Sequence, residues 1–576
     1  MIVIFCIISG LFLGLSQPLY LSTTINNLSG FWHYSALLCL VGYVYPFMIA
    51  NKKNIVQTFI ATFFTSFIGF CVSLYWIYIA VHVYGHVAPI SSIAITLALP
   101  AILAFKTAVF MSLAKILSKH FKVSFLWFAP IALCAAEFFR NYALFGGFPW
   151  ANMGYSLGRI DEFLQLASII GVYGLVFLVG LINALIVLIY EKNNYKLVFI
   201  PVILIIIIFL FGNYRLNNLN LNSDNNLKIA LIQGNINQDE KNSKSSKENI
   251  FDIYKNLTYE AVNNNADLII WPESSYPYLS KENMSEFEFA KQTNKAFVIG
   301  ATTYGYDTKD KNGYHYGNSA FLINFNGQVL KRYDKSHLVP FGEYVPWPMG
   351  GIVQKIVPGM GAFKRGLDFT STSLLIDDKK EISVGVSICY EGIFPEIARK
   401  QALEKPQILI NITNDAWYGV SSAPYQHLLM YRLRAVESGQ FYARATNSGV
   451  SAFIDPLGNI MAASQLFSRE VIIKNINTNR VDTLYVRLGD SVPIVCLLIM
   501  LIGLLSVIFP LNYYLKNKKF VSLFLSMSMI LVFLLATRHF LSETELLNES
   551  SNTKLLFIFL LCNLGILSIA KYTPKR

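Results

Sequence analysis

The chain of 576 residues is 54% hydrophobic, only 14% of its residues are charged, and its mean hydropathy is +0.45. This composition is too apolar for a soluble protein of such length, so it indicates a membrane protein. The formal net charge of +12 comes largely from lysines that flank apolar segments. It therefore requires no nucleic-acid partner, and the sequence contains no nucleic-acid-binding motif.

Ten apolar segments are predicted to cross a bilayer, most of them within the span of roughly 17–25 residues that a membrane helix needs. Seven precede a long polar interval and three follow it: 3–21, 34–50, 57–80, 92–115, 124–139, 165–190, 197–213, 491–513, 519–537 and 555–570. We therefore expect a transmembrane domain at 1–213, a linker at 214–226, a catalytic domain at 227–480 and C-terminal spans at 481–576.

Lysines are concentrated in alternate loops between these segments, at positions 52–53, 115–122, 192–196 and 516–519. The positive-inside rule places loops of this kind in the cytoplasm. The N-terminus is then cytoplasmic as well, and seven crossings place residues 214–490 on the opposite side of the membrane. The acidic loop at 543–549 falls on that side too.

The polar interval alternates short apolar strands with amphipathic helices, which is typical of a sheet covered by helices. The predicted strands are 228–232, 267–271, 297–300, 382–388, 408–412 and 451–454. The predicted helices are 248–264, 280–293 and 424–442. A hairpin is predicted at 318–330, because Asn326-Gly327 favours a tight turn between its strands.

Cys389 is the only one of the seven cysteines that lies outside an apolar, membrane-length segment. It follows the predicted strand 382–388, and cysteines scattered over separate spans do not form a disulfide framework. Two charged residues also follow strands of the same interval: Glu273 in Trp-Pro-Glu, and Lys335 in Tyr-Asp-Lys-Ser-His. Each of the three taken alone is explained as well by ordinary structure, as a buried apolar thiol, a solvated acid and a surface cation.

Together these residues make a nucleophile with a base and a cation beside it. A cysteine attacks as its thiolate, and its pKa of about 8.5 falls next to a cation such as Lys335. The same ammonium, with the backbone N–H of Tyr390, could stabilise the oxyanion of a tetrahedral intermediate. Glu273 could take the thiol proton and later handle that of the incoming nucleophile.

Other chemistries fit these residues less well. A cysteine protease would pair Cys389 with His337 or His427, but the flanking residues match no such family and Lys335 would have no role. The histidines are scattered and no metal-ligand spacing is present. The sequence also lacks a glycine-rich phosphate loop. We therefore expect neither a metal nor another cofactor.

The three segments resemble the motifs of the nitrilase, or carbon–nitrogen hydrolase, superfamily. Residues 411–419 (Asn-Ile-Thr-Asn-Asp-Ala-Trp-Tyr-Gly) fit that superfamily as well. With seven spans in front of this domain, residues 1–513 resemble the apolipoprotein N-acyltransferase family in particular. Three further stretches look like that family: Gly-Gly-Phe-Pro-Trp at 146–150, Gln-Gly-Asn-Ile at 233–236 and Val-Pro-Trp at 345–347.

The resemblance implies a polytopic α-helical membrane domain followed by an α/β nitrilase-like (αββα sandwich) extracytoplasmic domain. It assigns Glu273 as the general base, Lys335 as the electrostatic partner and Cys389 as the acylated nucleophile. Three further positions match residues that support the site or the substrate: Glu343, Tyr390 and Glu391.

The implied reaction moves an acyl chain from a phospholipid to the α-amine of a diacylglyceryl-cysteine, through a thioester on Cys389. The implied partners are a phospholipid donor, a diacylated lipoprotein acceptor and membrane lipid. We expect a monomer in the bacterial inner membrane, with the catalytic domain on the periplasmic side. The apolar loop 345–358 could dip into lipid to admit the donor, although ordinary core packing explains its composition as well.

The chain departs from the family at two places. Asn242 stands where the family often has a tryptophan, which puts one substrate contact in doubt. The spans 519–537 and 555–570 exceed the usual single C-terminal span and read as an accessory hairpin. Two alternatives stay open: a membrane-tethered nitrilase-like amidase that uses water, and a transporter or scaffold whose soluble domain has lost activity.

Overall fold

The computed structural model describes residues 2–19, 34–143, 146–219, 221, 226–241, 244–306, 314–346 and 363–508. The predicted spans 519–537 and 555–570, most of the apolar loop 345–358, and Asn242 therefore lie outside the described residues.

Long apolar helices make up the first part of the chain, and another ends the described region. In chain order α1 to α10 are Ile2–Ser16, Cys39–Gly42, Val44–Lys52, Ile55–Ser73, Pro89–Phe121, Phe125–Arg140, Met153–Leu157, Asp161–Leu164, Ala167–Lys192 and Phe199–Asn218. Within the described ranges, six helical segments are long and apolar enough to cross a membrane. Large apolar side chains on these helices, such as Ile90 and Phe199, are exposed, which is the surface that lipid would cover.

Thirteen strands lie in the described part of the interval between the membrane helices. In chain order β1 to β13 are Asn226–Gln233, Leu268–Ile270, Tyr276–Lys281, Ala296–Tyr306, Tyr314–Ile323, Val329–Asp334, Thr372–Leu375, Glu381–Ile388, Ile408–Thr413, Tyr442–Thr446, Ala452–Ile454, Ile460–Ala463 and Glu470–Asn477. The remaining α-helices, α11 to α17, are Gln238–Lys241, Lys247–Asn263, Glu288–Thr293, Pro395–Leu403, Ala423–Ser438, Leu484–Leu488 and Ser491–Ile508.

The strands form two sheets that pack face to face. One has the order β13-β1-β2-β4-β5-β6, with β3 paired to β4, and the other has the order β12-β11-β10-β9-β8-β7. Side chains alternate between the faces of each strand. Ile229 of β1 therefore points into the core between the sheets, where it belongs to the same cluster as Val384 and Ile410 of the second sheet. Ala230 and Ile232 face the opposite way.

The outer face of each sheet is covered by helices. Ile250 and Tyr254 of α12 pack on the first sheet, and Leu428 and Tyr431 of α15 pack on the second. These layers are the αββα sandwich implied by the resemblance, so that expectation is confirmed.

One predicted element is wrong in part. The interval 280–293 was expected to be helical, but Tyr276–Lys281 is strand β3 and only Glu288–Thr293 is a helix. β3 pairs in parallel with β4 beyond the predicted end of that strand, and such tertiary pairing outweighs local helical spacing. The predicted hairpin is present as β5 and β6, with Gly327 in its turn at φ +81°.

Segments that follow the membrane helices α4 and α6 contact the sandwich at a buried glutamine of α15. Trp76 and Trp150 both donate their indole N–H to Gln426 Oε1, at 3.1 and 2.7 Å. Trp150 follows a tight loop in which Gly147 has φ +100°, and a Cβ there would lie 1.9 Å from the carbonyl oxygen of Asn141. Only glycine fits this position, which brings the membrane-side loop close to the end of strand β8.

Candidate active site

The predicted site residues come together at the ends of strands from both sheets. Cys389 directly follows β8, and Asn414 follows the neighbouring parallel strand β9, whose Ile412 is in register with Ile388. Glu273 and Lys335 follow β2 and β6 of the other sheet. Open sheets of this kind commonly bind ligands at the carboxyl ends of parallel strands.

Glu273 and Lys335 form a buried ion pair. Lys335 Nζ lies 3.2 Å from Glu273 Oε1 and 2.9 Å from Glu343 Oε1, and its side chain is only 1% exposed. Burial by itself would lower the pKa of this lysine, but the two carboxylates outweigh it and hold the pKa well above its usual range. Lys335 is therefore a fixed positive charge in the site.

Backbone and amide donors orient the two carboxylates. Asn318 donates its Nδ2 to Glu273 Oε1 at 2.6 Å and to Glu343 Oε1 at 2.8 Å. The backbone N–H of Asn414 donates to Glu273 Oε2 at 2.9 Å. Because both oxygens of the Glu273 carboxylate accept hydrogen bonds, its position is defined before any substrate binds.

Cys389 is 7% exposed and sits in the left-handed region, with φ +52°. Non-glycine residues adopt this conformation at a cost that surrounding contacts must offset. One such contact is the phenol of Tyr431, which donates to the carbonyl oxygen of Cys389 at 3.1 Å. The thiol itself interacts with the side chain of Thr413.

The pKa of Cys389 differs from the sequence-based expectation. Burial and the charge of Glu273 raise the pKa of the thiol above its usual range, and the opposing effect of Lys335 is smaller. The expectation that Lys335 would lower this pKa is therefore wrong in its net direction. The resting cysteine is a thiol, so a base must remove its proton during attack.

The raised pKa predicts how alkylation of Cys389 depends on pH. Only the thiolate reacts, so its reaction with iodoacetamide should rise continuously from about pH 7 to about pH 10, without levelling near the ordinary pKa of about 8.5. Replacing Glu273→Gln removes one cause of the raised pKa and should move the curve to lower pH. Mass spectrometry of the Cys389 peptide measures the rate, and a plateau below about pH 8 in the wild type would mean that Lys335 prevails.

Glu391 joins the loop of Lys335 to the end of strand β8. It is fully buried and accepts hydrogen bonds from Tyr333 Oη (2.8 Å), the N–H groups of Ser336 (2.6 Å) and His337 (3.1 Å), and the N–H of Ile388 (2.7 Å). Burial raises the pKa of this carboxyl although these donors oppose the shift. Its contacts are with the scaffold, so it fixes the distance between the lysine and the cysteine.

Tyr390 connects the same strand end to the membrane-side loop. Its hydroxyl donates to the carbonyl oxygen of Gly147 at 3.1 Å, and its ring packs edge-on against Phe394. The residue next to the nucleophile thus touches the part of the chain that lies among the membrane helices.

Neither of the two histidines considered for a protease pair is bonded to the thiol in the described contacts. His337 stacks on Phe394 with ring centroids 3.8 Å apart, and burial, aided by Arg365 and Lys335, lowers its pKa to about 4. Among the described residues, no group of three or more histidine, cysteine or acidic side chains is placed to hold a metal ion.

His427 belongs to a buried polar group with Asp415 and Arg444. Its Nδ1 lies 2.9 Å from Asp415 Oδ1, and Arg444 donates to Asp415 Oδ2 at 2.6 Å. The ring of His427 packs against that of Tyr431, with ring centroids 5.5 Å apart, and the hydroxyl of Tyr431 donates to the carbonyl oxygen of Cys389. Since Arg444 also lies over the ring of Tyr431, this group positions the tyrosine that holds the backbone of the cysteine.

Sequence reasoning missed several residues of this site. Asn318 was assigned only to a hairpin, and Asn414 and Asp415 only to a matching motif. Tyr431 and Arg444 carried no signal at all, because a buried tyrosine or arginine in a helix or strand is recognised only through its partners. For Asn414 the signal was its place directly after a buried strand, as with Cys389 and Glu273.

Comparison with known proteins agrees with both halves of the chain. Residues 228–485 match the family model of the carbon-nitrogen hydrolases, and residues 9–185 match that of the apolipoprotein N-acyltransferase N-terminal domain. A relative from Geobacter metallireducens named apolipoprotein N-acyltransferase is 34% identical over 84% of this chain and 91% of its own length. This chain belongs to the apolipoprotein N-acyltransferase family.

Further relatives agree with this membership. Apolipoprotein N-acyltransferases of Haemophilus influenzae and Pasteurella multocida are 32% and 31% identical, over 82% and 79% of this chain and 91% and 88% of theirs. Among solved structures, an amidase from Nesterenkonia sp. AN1 is 19% identical, with a TM-score of 0.33, over 45% of this chain and 92% of its own. Family membership and the six apolar segments make the chain a multi-pass bacterial membrane protein.

Proposed function

We propose that this protein is an apolipoprotein N-acyltransferase with Glu273, Lys335 and Cys389 as its catalytic residues. It takes an acyl chain from a phospholipid, holds it as a thioester on Cys389 and transfers it to the α-amine of a diacylglyceryl-cysteine. The proposal rests on the buried Glu273–Lys335 ion pair, which lies at the strand ends where Cys389 also lies. The chain's membership of this family supports it as well.

In the first half-reaction the sulfur of Cys389 attacks an ester carbonyl of the phospholipid and its proton passes to Glu273. The oxyanion that forms is stabilised by the ammonium of Lys335 and the backbone N–H of Tyr390. The C–O bond to the glycerol then breaks, and the departing alkoxide takes the proton from Glu273. The products are a thioester and a lysophospholipid.

In the second half-reaction the α-amine of the acceptor attacks the thioester carbonyl. Glu273 accepts a proton from the amine, the C–S bond breaks, and the sulfur recovers its proton as the amide is released. Glu343 keeps Lys335 in place, since the ammonium is bonded to both carboxylates. Glu391 and Tyr390 position the cysteine through the contacts described above.

The first half-reaction has a direct test. Purified full-length protein in mixed micelles with phospholipid should gain one acyl chain on Cys389 and release one lysophospholipid for each chain gained. Intact-mass and peptide mass spectrometry measure both. If lysophospholipid appears without an adduct on Cys389, the thioester mechanism fails, and if neither appears, the proposed activity fails.

We also place the catalytic domain on the periplasmic side of the inner membrane, from the lysine-rich loops. Ser245 is exposed on this domain, so a Ser245→Cys variant should react with a membrane-impermeant thiol reagent in intact spheroplasts. Gel shift after labelling measures the reaction, and lysed spheroplasts give the maximum. Labelling that requires lysis would place the domain in the cytoplasm.

A further inference from the structure

A second lysine, Lys241, is within electrostatic range of Glu273 and has no hydrogen-bond partner among the described residues. Lys241 ends the short helix α11, which follows the Gln-Gly-Asn stretch at 233–235. The residue as a whole is half-buried, but its Nζ is inaccessible to solvent and is bonded to no group in the part of the chain that the structure describes. Burial lowers the pKa of this ammonium to about 8, and the charge of Glu273 opposes the shift.

The carboxylate of Glu273 is not hydrogen-bonded to Lys241. Its Oε1 already accepts from Asn318 and Lys335, and its Oε2 accepts from the backbone of Asn414. Lys335 therefore has two carboxylate partners, whereas the described residues offer the ammonium of Lys241 none. A buried ammonium without a partner is costly, so this position suits a group that a ligand supplies.

Helix α11 is held in place next to the site. Gln238, one turn before Lys241, accepts a hydrogen bond on its Oε1 from Asn414 Nδ2 at 2.9 Å. Asn414 is the same residue whose backbone N–H holds Glu273. The lysine is thus carried on a helix that is hydrogen-bonded to the same residue that holds Glu273.

We propose that Lys241 binds the phosphate of the phospholipid donor. This inference rests on the proposed function, in which the phosphate is the one negative charge that every phospholipid donor brings. Only the glycerol separates it from the ester carbonyl that Cys389 attacks, and an ammonium pairs well with phosphate as a point charge. The diacylglyceryl-cysteine acceptor has no phosphate, so Lys241 serves the first half-reaction alone.

The test compares two donors that share their ester groups and differ in the phosphate. Acylation of Cys389 in the full-length protein is measured with phosphatidylglycerol and with diacylglycerol, for the wild type and for Lys241→Met. The substitution should lower kcat/KM for phosphatidylglycerol by about 10- to 100-fold, the loss expected for one charge-assisted hydrogen bond. It should leave kcat/KM for diacylglycerol unchanged.

Two further variants complete the comparison. Lys241→Arg keeps the charge and should keep most of the preference for phosphatidylglycerol. Lys379 is exposed on a turn of the same domain, so Lys379→Met loses an equal charge and should leave both donors unaffected. Transfer from acylated enzyme to a diacylated lipopeptide should proceed at the wild-type rate in Lys241→Met.

If Lys241→Met lowers kcat/KM equally for both donors, or slows the transfer step, Lys241 acts on Glu273 and the inference is overturned. An unchanged kcat/KM for phosphatidylglycerol would overturn it as well. If Lys241→Met does not fold, the wild type decides, because it should prefer phosphatidylglycerol over diacylglycerol by a similar factor. A wild-type enzyme that uses phosphatidylglycerol and diacylglycerol equally well refutes only the role of Lys241, and leaves the proposed function standing. A wild type that forms no thioester from phospholipid refutes the proposed function itself.

Discussion

The Cys389→Ala variant is expected to form no acyl adduct and no triacylated product, which is the largest effect that the proposed mechanism allows. The other described cysteines, such as Cys71 and Cys134, lie on membrane helices, so none can replace the nucleophile. Intact-mass measurement after incubation with phospholipid detects the adduct. The change removes one sulfur from a buried position, so the variant should still fold.

Cys71→Ala is the matched control, because it removes a thiol from the same chain outside the site. It should acquire the acyl chain as the wild type does. An adduct of acyl mass on Cys389→Ala at the wild-type level would show that the chain is carried elsewhere and would end the assignment of Cys389.

The Lys335→Met variant is expected to lose both acylation rate and stability. Loss of one oxyanion-stabilising group typically slows a reaction by about 10²–10³. The substitution also leaves Glu273 and Glu343 without the ammonium that is bonded to both, and removal of one partner from a buried pair costs about 3–5 kcal/mol. Thermal denaturation should therefore begin well below the wild-type temperature, and the acyl-adduct assay should detect only a trace of thioester.

A double variant separates the two effects. Adding Glu343→Gln to Lys335→Met removes one of the two crowded carboxylates, which should recover much of the stability. Acylation should stay slow, since the ammonium is still missing. Recovery of acylation along with stability would reduce Lys335 to a structural cation and remove it from the mechanism.

The architecture was predictable because its signals are local. Apolar length marks the membrane helices, and strand β2 (Leu-Ile-Ile) is a continuous apolar run. The prediction failed in the first part of 280–293, where Ser280 and Lys281 pair with β4 and the helix begins only at Glu288. Nothing near that segment reveals its partner, which is why tertiary pairing is missed from a single sequence.

In the candidate site, too, the features with a local sequence signal were predictable and those that depend on burial were not. Cys389, Glu273 and Lys335 were found because each follows a strand and carries a reactive group. The direction of the thiol's pKa was missed, because it depends on burial, which spacing does not reveal. Lys241 passed unnoticed for a related reason, since only the burial of its ammonium, without a partner among the described residues, distinguishes it from a surface lysine.

The fate of the thioester tests the central claim most directly. Acylated enzyme, freed of phospholipid, is mixed with a lipopeptide that begins with diacylglyceryl-cysteine, either with a free α-amine or with that amine acetylated. The account predicts that the acyl chain leaves Cys389 at the rate at which triacylated peptide forms, and that it stays on Cys389 when the amine is blocked. Release as free fatty acid, at the same rate with either peptide, would contradict the account and identify a hydrolase that uses water.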